Sequence, residues 1–190
     1  MLTERYAEAF RLAWLLHNGQ LRKGTKIPYV SHLIAVSSIS LEHGANEDEA
    51  IAALLHDAVE DAGGKPTLDM IRRRFGATVA DIVDGCTDTD VEPKPPWRAR
   101  KEAYIAHLAT ASASVRLVSS SDKLHNARSI LSDLHVHGPA LWDRFTAPME
   151  GTLWYYRSLV HAFASHGRSS LVNELDRTVR AIEELAAVPQ

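Results

Sequence analysis

His56 and Asp57 stand side by side in Ala52-Ala53-Leu54-Leu55-His56-Asp57-Ala58-Val59-Glu60-Asp61, a stretch that otherwise has the composition of a buried helix. On a helix, Glu60 falls one turn after His56, and Asp61 one turn after Asp57. A His-Asp edge is thus followed by a Glu-Asp edge, while Ile51, Leu55, Ala58 and Ala62 form an apolar stripe. Charged groups held near a core are costly unless they are paired or bind a metal. Imidazole and carboxylate together suit a borderline divalent ion such as manganese, iron or zinc. His56 and Asp57 do not complete such a site. His32, directly after a basic loop, and Asp122, which opens Asp122-Lys123-Leu124-His125-Asn126-Ala127-Arg128-Ser129, are the candidate partners. Asn126 and Ser129 share the helix face of Asp122. Spacing leaves open whether these distant residues converge.

The elements that must position these groups read as helices throughout. Tyr6, Ala9, Phe10, Ala13, Leu16 and His17 recur at steps of three and four, the period of an amphipathic helix. The loop from Asn18 to Tyr29 carries Arg22, Lys23 and Lys26 among glycines and a proline, the composition of an exposed ligand loop. Helices are predicted over 31–43 and 46–62, the second opening on Glu47, Asp48 and Glu49, which suit the helix dipole. Shorter helices follow from Pro66 to Gly76 and over 77–87. The acid- and proline-rich residues 88–96 are the expected flexible loop. Helices over 97–110, 114–134, 140–166 and 168–187 complete the chain, with Pro148 expected to kink or split the third of these. The fold class is therefore all-α, and no convincing β-alternation or repeat is present.

The composition bounds the function classes. The chain has 190 residues and a net charge of −3 with histidine neutral, so no large basic surface for nucleic acid is expected. No apolar run approaches a membrane span, and the N-terminus lacks the pattern of a secretory signal. Cys86 is the single cysteine, which excludes an internal disulfide and fits a reducing compartment. A cytoplasmic protein is expected, without nucleic-acid or membrane partners; the oligomeric state is left open. Of the ten histidines, His17 and His125 lie beside the proposed site as candidate orienting groups. His43, His107, His135, His137, His161 and His166 read as structural or exposed.

Four stretches make the chain recognisable: His17-Asn18-Gly19-Gln20-Leu21-Arg22-Lys23-Gly24-Thr25, Pro28-Tyr29-Val30-Ser31-His32, the segment from Leu54 to Asp61, and Ser121-Asp122-Lys123-Leu124-His125-Asn126. In that order they resemble the HD superfamily of phosphohydrolases, and within it the alarmone hydrolase domain of RelA/SpoT homologues, especially the stand-alone small alarmone hydrolases. The resemblance covers roughly residues 5–160. It implies an HD-domain helical bundle with a central metal site over residues 1–165, with a C-terminal helix, 166–190, packed on the same domain. His32, His56, Asp57 and Asp122 match the family's metal ligands, usually for manganese. Glu60 and Asp61 match its water-activating pair. Arg22 and Lys23 match a basic pair beside the nucleotide, and Asn126 a residue near the ribose and phosphates. Tyr155 or Tyr156 matches a pocket tyrosine.

The implied reaction is hydrolysis of guanosine tetra- or pentaphosphate at the 3′-pyrophosphate, giving GDP or GTP. The alternatives are an HD phosphohydrolase acting on another nucleotide, such as a 3′-phosphorylated dinucleotide cofactor, and a catalytically silent nucleotide-binding domain. Alarmone synthesis is not expected. Ser119-Ser120-Ser121 departs from the family pattern of a lysine and apolar residues before the motif aspartate.

Overall fold

In the computed structural model, which describes residues 1–89, 93 and 95–187, helices follow one another along the chain. They are α1 Glu4–Leu16, α2 Val30–Glu42, α3 Glu47–Leu55, α4 Ala58–Asp61, α5 Gly64–Phe75, α6 Ala77–Cys86, α7 Trp97–Leu108, α8 Ala113–His137, a 3-10 segment Gly138–Arg144, α9 Met149–Ala164 and α10 Ser170–Ala186. Among the described residues no strand forms, and the one isolated antiparallel bridge pairs Leu21 with Pro28. No helix there is long and apolar enough to cross a membrane.

The chain divides into two units. The first comprises Met1–Pro95 and Ala111–Ser121, the second Pro96–Thr110 and Asp122–Gln190. In the first, α3 is apolar on every side after its opening acids, and Ala50 to Leu55 are all buried as a result. It packs against α1, α2 and α6. Its start is fixed by a capping box between Asn46 and Glu49. Arg5 of α1 reaches across to Glu47, Asp48 and the Phe75 carbonyl. Gly85 allows α6 to approach α8: a Cβ there would lie 2.6 Å from a Val115 methyl.

The second unit is held by an ion cluster as well as by apolar packing. Asp176 of α10 is buried and accepts hydrogen bonds from Arg157 of α9, from Arg168 and from Arg180. Arg157 also grips Glu183. Packing of α9 against α10 and of α7 against α9 completes this unit.

Three expectations need correction. The helix predicted over 46–62 is broken at His56-Asp57 into α3 and α4, with Asp57 at φ −96° and ψ −2°. The apolar face of α1 runs through Ala9, Leu12 and Ala13, whereas Phe10 is 41% exposed. The predicted helix over 140–166 is split as expected at Pro148, but its first part is a 3-10 segment. The loop expected over 88–96 includes Asp90, Val91, Glu92 and Lys94, which lie outside the described residues, as do Val188, Pro189 and Gln190 of the C-terminal segment.

Burial pushes the Asp176 carboxyl up, but hydrogen bonds from Arg180, Arg168 and Arg157 outweigh it and hold the group at about 2. A carboxylate with a depressed folded-state pKa contributes stability above its unfolded pKa and loses it as pH falls. Asp176→Asn is therefore expected to lower the unfolding free energy by about 2 kcal/mol near neutral pH. The difference from wild type should shrink as pH falls from about 4 towards 2. Urea unfolding at several pH values checks both statements.

Candidate metal centre and active site

His32 lies in the first turn of α2, and His56 caps the end of α3. Both rings are buried, at 1% and 2% exposure, and their centroids are 5.2 Å apart in an edge-to-face arrangement. His56 Nδ1 lies 2.8 Å from the Ala53 carbonyl, an acceptor, so this nitrogen donates and Nε2 is left to face the site. Nε2 of His56 is 3.0 Å from Asp57 Oδ2, and Nε2 of His32 is 3.5 Å from the same oxygen. One ligand atom from each of these residues lies within 4.8 Å of the others. An imidazole lone pair and a carboxylate oxygen so close together repel unless a proton or cation lies between them. Two neutral imidazoles and a carboxylate suit a divalent metal, and burial of the imidazoles makes the arrangement costly without one.

The basic loop reaches this cluster through residues given no role in the sequence reading. Tyr29 ends the loop, and its hydroxyl donates to Asp57 Oδ2 at 2.6 Å. Its ring stacks on His17 at 5.2 Å and meets His32 edge-on at 5.4 Å. Gln20 donates from Nε2 to Asp61 Oδ2 at 2.8 Å. Both residues fall inside the quoted motifs. Tyr29 sits one helical turn before His32, the signal that could have singled it out. Arg22 places its guanidinium 5.7 Å from the Tyr29 ring centroid, and Lys23 is exposed on the same loop.

Glu60 and Asp61 lie on the single turn of α4, Glu60 half-buried and Asp61 exposed. The Asp61 amide still donates to the Asp57 carbonyl at 3.0 Å, so the acid pair keeps a fixed offset from Asp57 despite the broken helix. Gly63, at φ +115°, then reverses the chain into α5; a Cβ there would lie 2.8 Å from Thr67 Oγ1.

Asp122, Asn126 and Tyr155 belong to the second unit. Asp122 is buried, and its two oxygens accept from Lys123 Nζ at 2.6 Å and Asn126 Nδ2 at 2.5 Å. Burial lowers the Lys123 ammonium pKa, but the Asp122 carboxylate more than offsets this and holds it above the ordinary lysine range. Tyr155 is buried with Lys101 Nζ 5.0 Å from its ring centroid, and Trp97 edges against it at 6.1 Å. Ser119, Ser120 and Ser121 are buried. Ser120 and Ser121 donate back to carbonyls of their own helix, and Ser119 reaches Cys86 Sγ. The run is thus a polar-satisfied packing surface in place of an apolar one.

A family model described as the HD domain matches residues 9–147. The chain is 37% identical over 126 residues to the guanosine-3′,5′-bis(diphosphate) 3′-pyrophosphohydrolase of Xenopus tropicalis, covering 65% of this chain and 68% of that protein. It is 32% identical over 166 residues to the protein of that name from Haemophilus influenzae, which covers 84% of this chain but only 22% of the longer relative. A solved structure described as a metazoan ortholog of SpoT that hydrolyses ppGpp and plays a role in starvation responses superposes with a TM-score of 0.76. Its identity is 29%, with 95% of this chain and 96% of that chain covered.

Outer partners of metal ligands typically contribute about 10- to 100-fold in affinity. Tyr29→Phe is expected to weaken divalent-metal binding by about that factor. His56→Ala, which removes a candidate ligand, should purify without metal. Titration calorimetry and elemental analysis of the purified variants check the two outcomes.

Proposed function

The chain belongs to the HD-domain family, and from that premise we propose that it is a metal-dependent hydrolase of guanosine tetra- and pentaphosphate, releasing pyrophosphate from the 3′ position. The observation that carries this reading is the cluster of buried His32 and His56 with half-buried Asp57, and the Glu60-Asp61 pair one short turn beyond it. The name of the Xenopus tropicalis relative gives the substrate class.

In this reading His32, His56 and Asp57 would hold one divalent ion, with Asp122 the further ligand and manganese the ion that the family resemblance implies. When bound, such an ion lowers the pKa of a coordinated water and offsets charge on the phosphoryl oxygens. Glu60 and Asp61 orient the attacking water and accept its proton; neighbouring carboxylates titrate together, so the role belongs to the pair. Water adds at the phosphorus next to the ribose, the bond from that phosphorus to the ribose 3′ oxygen breaks, and that oxygen is protonated. Arg22 and Lys23 neutralise the polyphosphate, and the Arg22 guanidinium, already against the Tyr29 ring, offers a flat face to the base. Asn126 and Tyr155 are assigned to the nucleoside side of the substrate.

Incubation of guanosine tetraphosphate with manganese-loaded protein should give GDP and pyrophosphate in equal amounts by anion-exchange chromatography. Asp57→Ala should lose both turnover and metal. Glu60→Gln should keep its metal and lose turnover by about 100-fold or more, the usual scale for removing general acid–base assistance. Wild-type turnover by Glu60→Gln would remove that residue from the mechanism, and a folded, metal-loaded wild type inert towards guanosine tetraphosphate would remove the substrate assignment.

A further inference from the structure

Asp61 stands where its own helix does least to hold it. It is exposed, it ends the single turn of α4, and a carboxylate at a helix C-terminus opposes the helix dipole. Its side chain is instead met from across the unit by Gln20, 41 residues away in the chain.

Gln20 is well placed to impose a direction. Its amide N–H donates to the His17 carbonyl at 3.0 Å, and its carbonyl accepts from the Tyr29 amide at 2.9 Å, so both sides of its backbone are fixed. The loop beyond it closes as the Leu21–Pro28 bridge, made by this last bond and by the Arg22 amide donating to the Ile27 carbonyl at 2.8 Å. At the side chain, His17 Nδ1 lies 2.6 Å from Oε1 while Nε2 faces Asp61. An ionised carboxylate only accepts, so the amide nitrogen must face Asp61, the amide oxygen must face His17, and His17 Nδ1 must carry a hydrogen. A flipped amide would set two acceptors against each other. His17 is only 3% exposed and its ring is stacked on Tyr29, which keeps Nδ1 beside Oε1.

We infer that Gln20 is a positioning residue that aims the Asp61 carboxylate, with His17 fixing the sense of the Gln20 amide. The same loop thereby sets two acids at once, Asp57 through Tyr29 and Asp61 through Gln20. The inference rests on the proposed role of Asp61 in accepting the water's proton.

Gln20→Met preserves length and bulk but removes both side-chain hydrogen bonds. Misplacing a reacting group by about 1 Å can cost about 100-fold in rate, so kcat is expected to fall by about 10- to 100-fold. KM, bound metal and melting temperature should stay at wild-type values, because Gln20 touches neither the metal ligands nor, in this account, the substrate. His17→Phe keeps the stack on Tyr29 and loses only the contact to Oε1; it should give a smaller fall with the same split. The double variant should be no slower than Gln20→Met, since His17 acts through Gln20. Wild-type kcat in Gln20→Met, a change confined to KM, or multiplying losses in the double variant would each overturn the inference. Should Gln20→Met fail to fold, His17→Phe decides alone by the same split between kcat and KM. Asp61→Asn separates the two levels: near wild-type turnover in that variant removes the role of Asp61 itself, whereas a slow Asp61→Asn beside a normal Gln20→Met removes only the positioning role.

Discussion

Two imidazoles and a carboxylate share one small space at the edge of an apolar core, and most of the first unit is arranged around that fact. His32 and His56 are almost wholly buried, and both direct Nε2 at Asp57 Oδ2. Such a set repels itself unless a proton or a cation lies among its members, and burial strengthens the repulsion because water is not there to screen it. The protein could have avoided the conflict with an apolar residue at any of these positions. It instead fixes the conflict in place: the Ala53 carbonyl holds the His56 tautomer, Tyr29 holds the carboxylate, and the Tyr29 ring packs on His32.

The scaffold explains how this is held without softening the core. Helix α3, buried from Ala50 to Leu55, ends at the site, so the position of His56 is set by packing on several helices rather than by a loop. The break after it turns the chain so that Asp57 lies beside His56 and the acids of α4 follow at once. The loop between α1 and α2 stays outside the core, but the two hydrogen bonds of the Leu21–Pro28 bridge close it on itself. It can therefore place Tyr29 and Gln20 on carboxylates while leaving Lys23 exposed. In the second unit, Asp176 and its arginines perform an unrelated task, fastening α9 to α10.

Much of this was legible in the sequence, for physical reasons that differ from residue to residue. The all-helical class followed from periodicity, and the division at Pro148 from its missing amide hydrogen. The pairing of His56 with Asp57 stood out because charge is out of place in an apolar run. The break between α3 and α4 was not legible, because the apolar period continues through it. Phe10 was misplaced because it lies at the far edge of the apolar stripe of α1, whereas Leu12, on the other side of Ala9, fills the core. Ser119 to Ser121 looked like a disturbance near a ligand, yet Ser120 and Ser121 bond to their own helix and Ser119 to Cys86. Gln20 and Tyr29 escaped assignment because their partners are distant in the chain and no periodic rule pairs them.

The claim on which the account turns is that one ion is held by His32, His56 and Asp57. Anomalous scattering at the manganese edge, from crystals of the manganese-loaded protein, tests it directly. The expected result is a single strong peak within bonding distance of Nε2 of both histidines and of an Asp57 carboxylate oxygen. A peak that leaves out the two histidines, or a fully loaded crystal with no peak at this cluster, would contradict it.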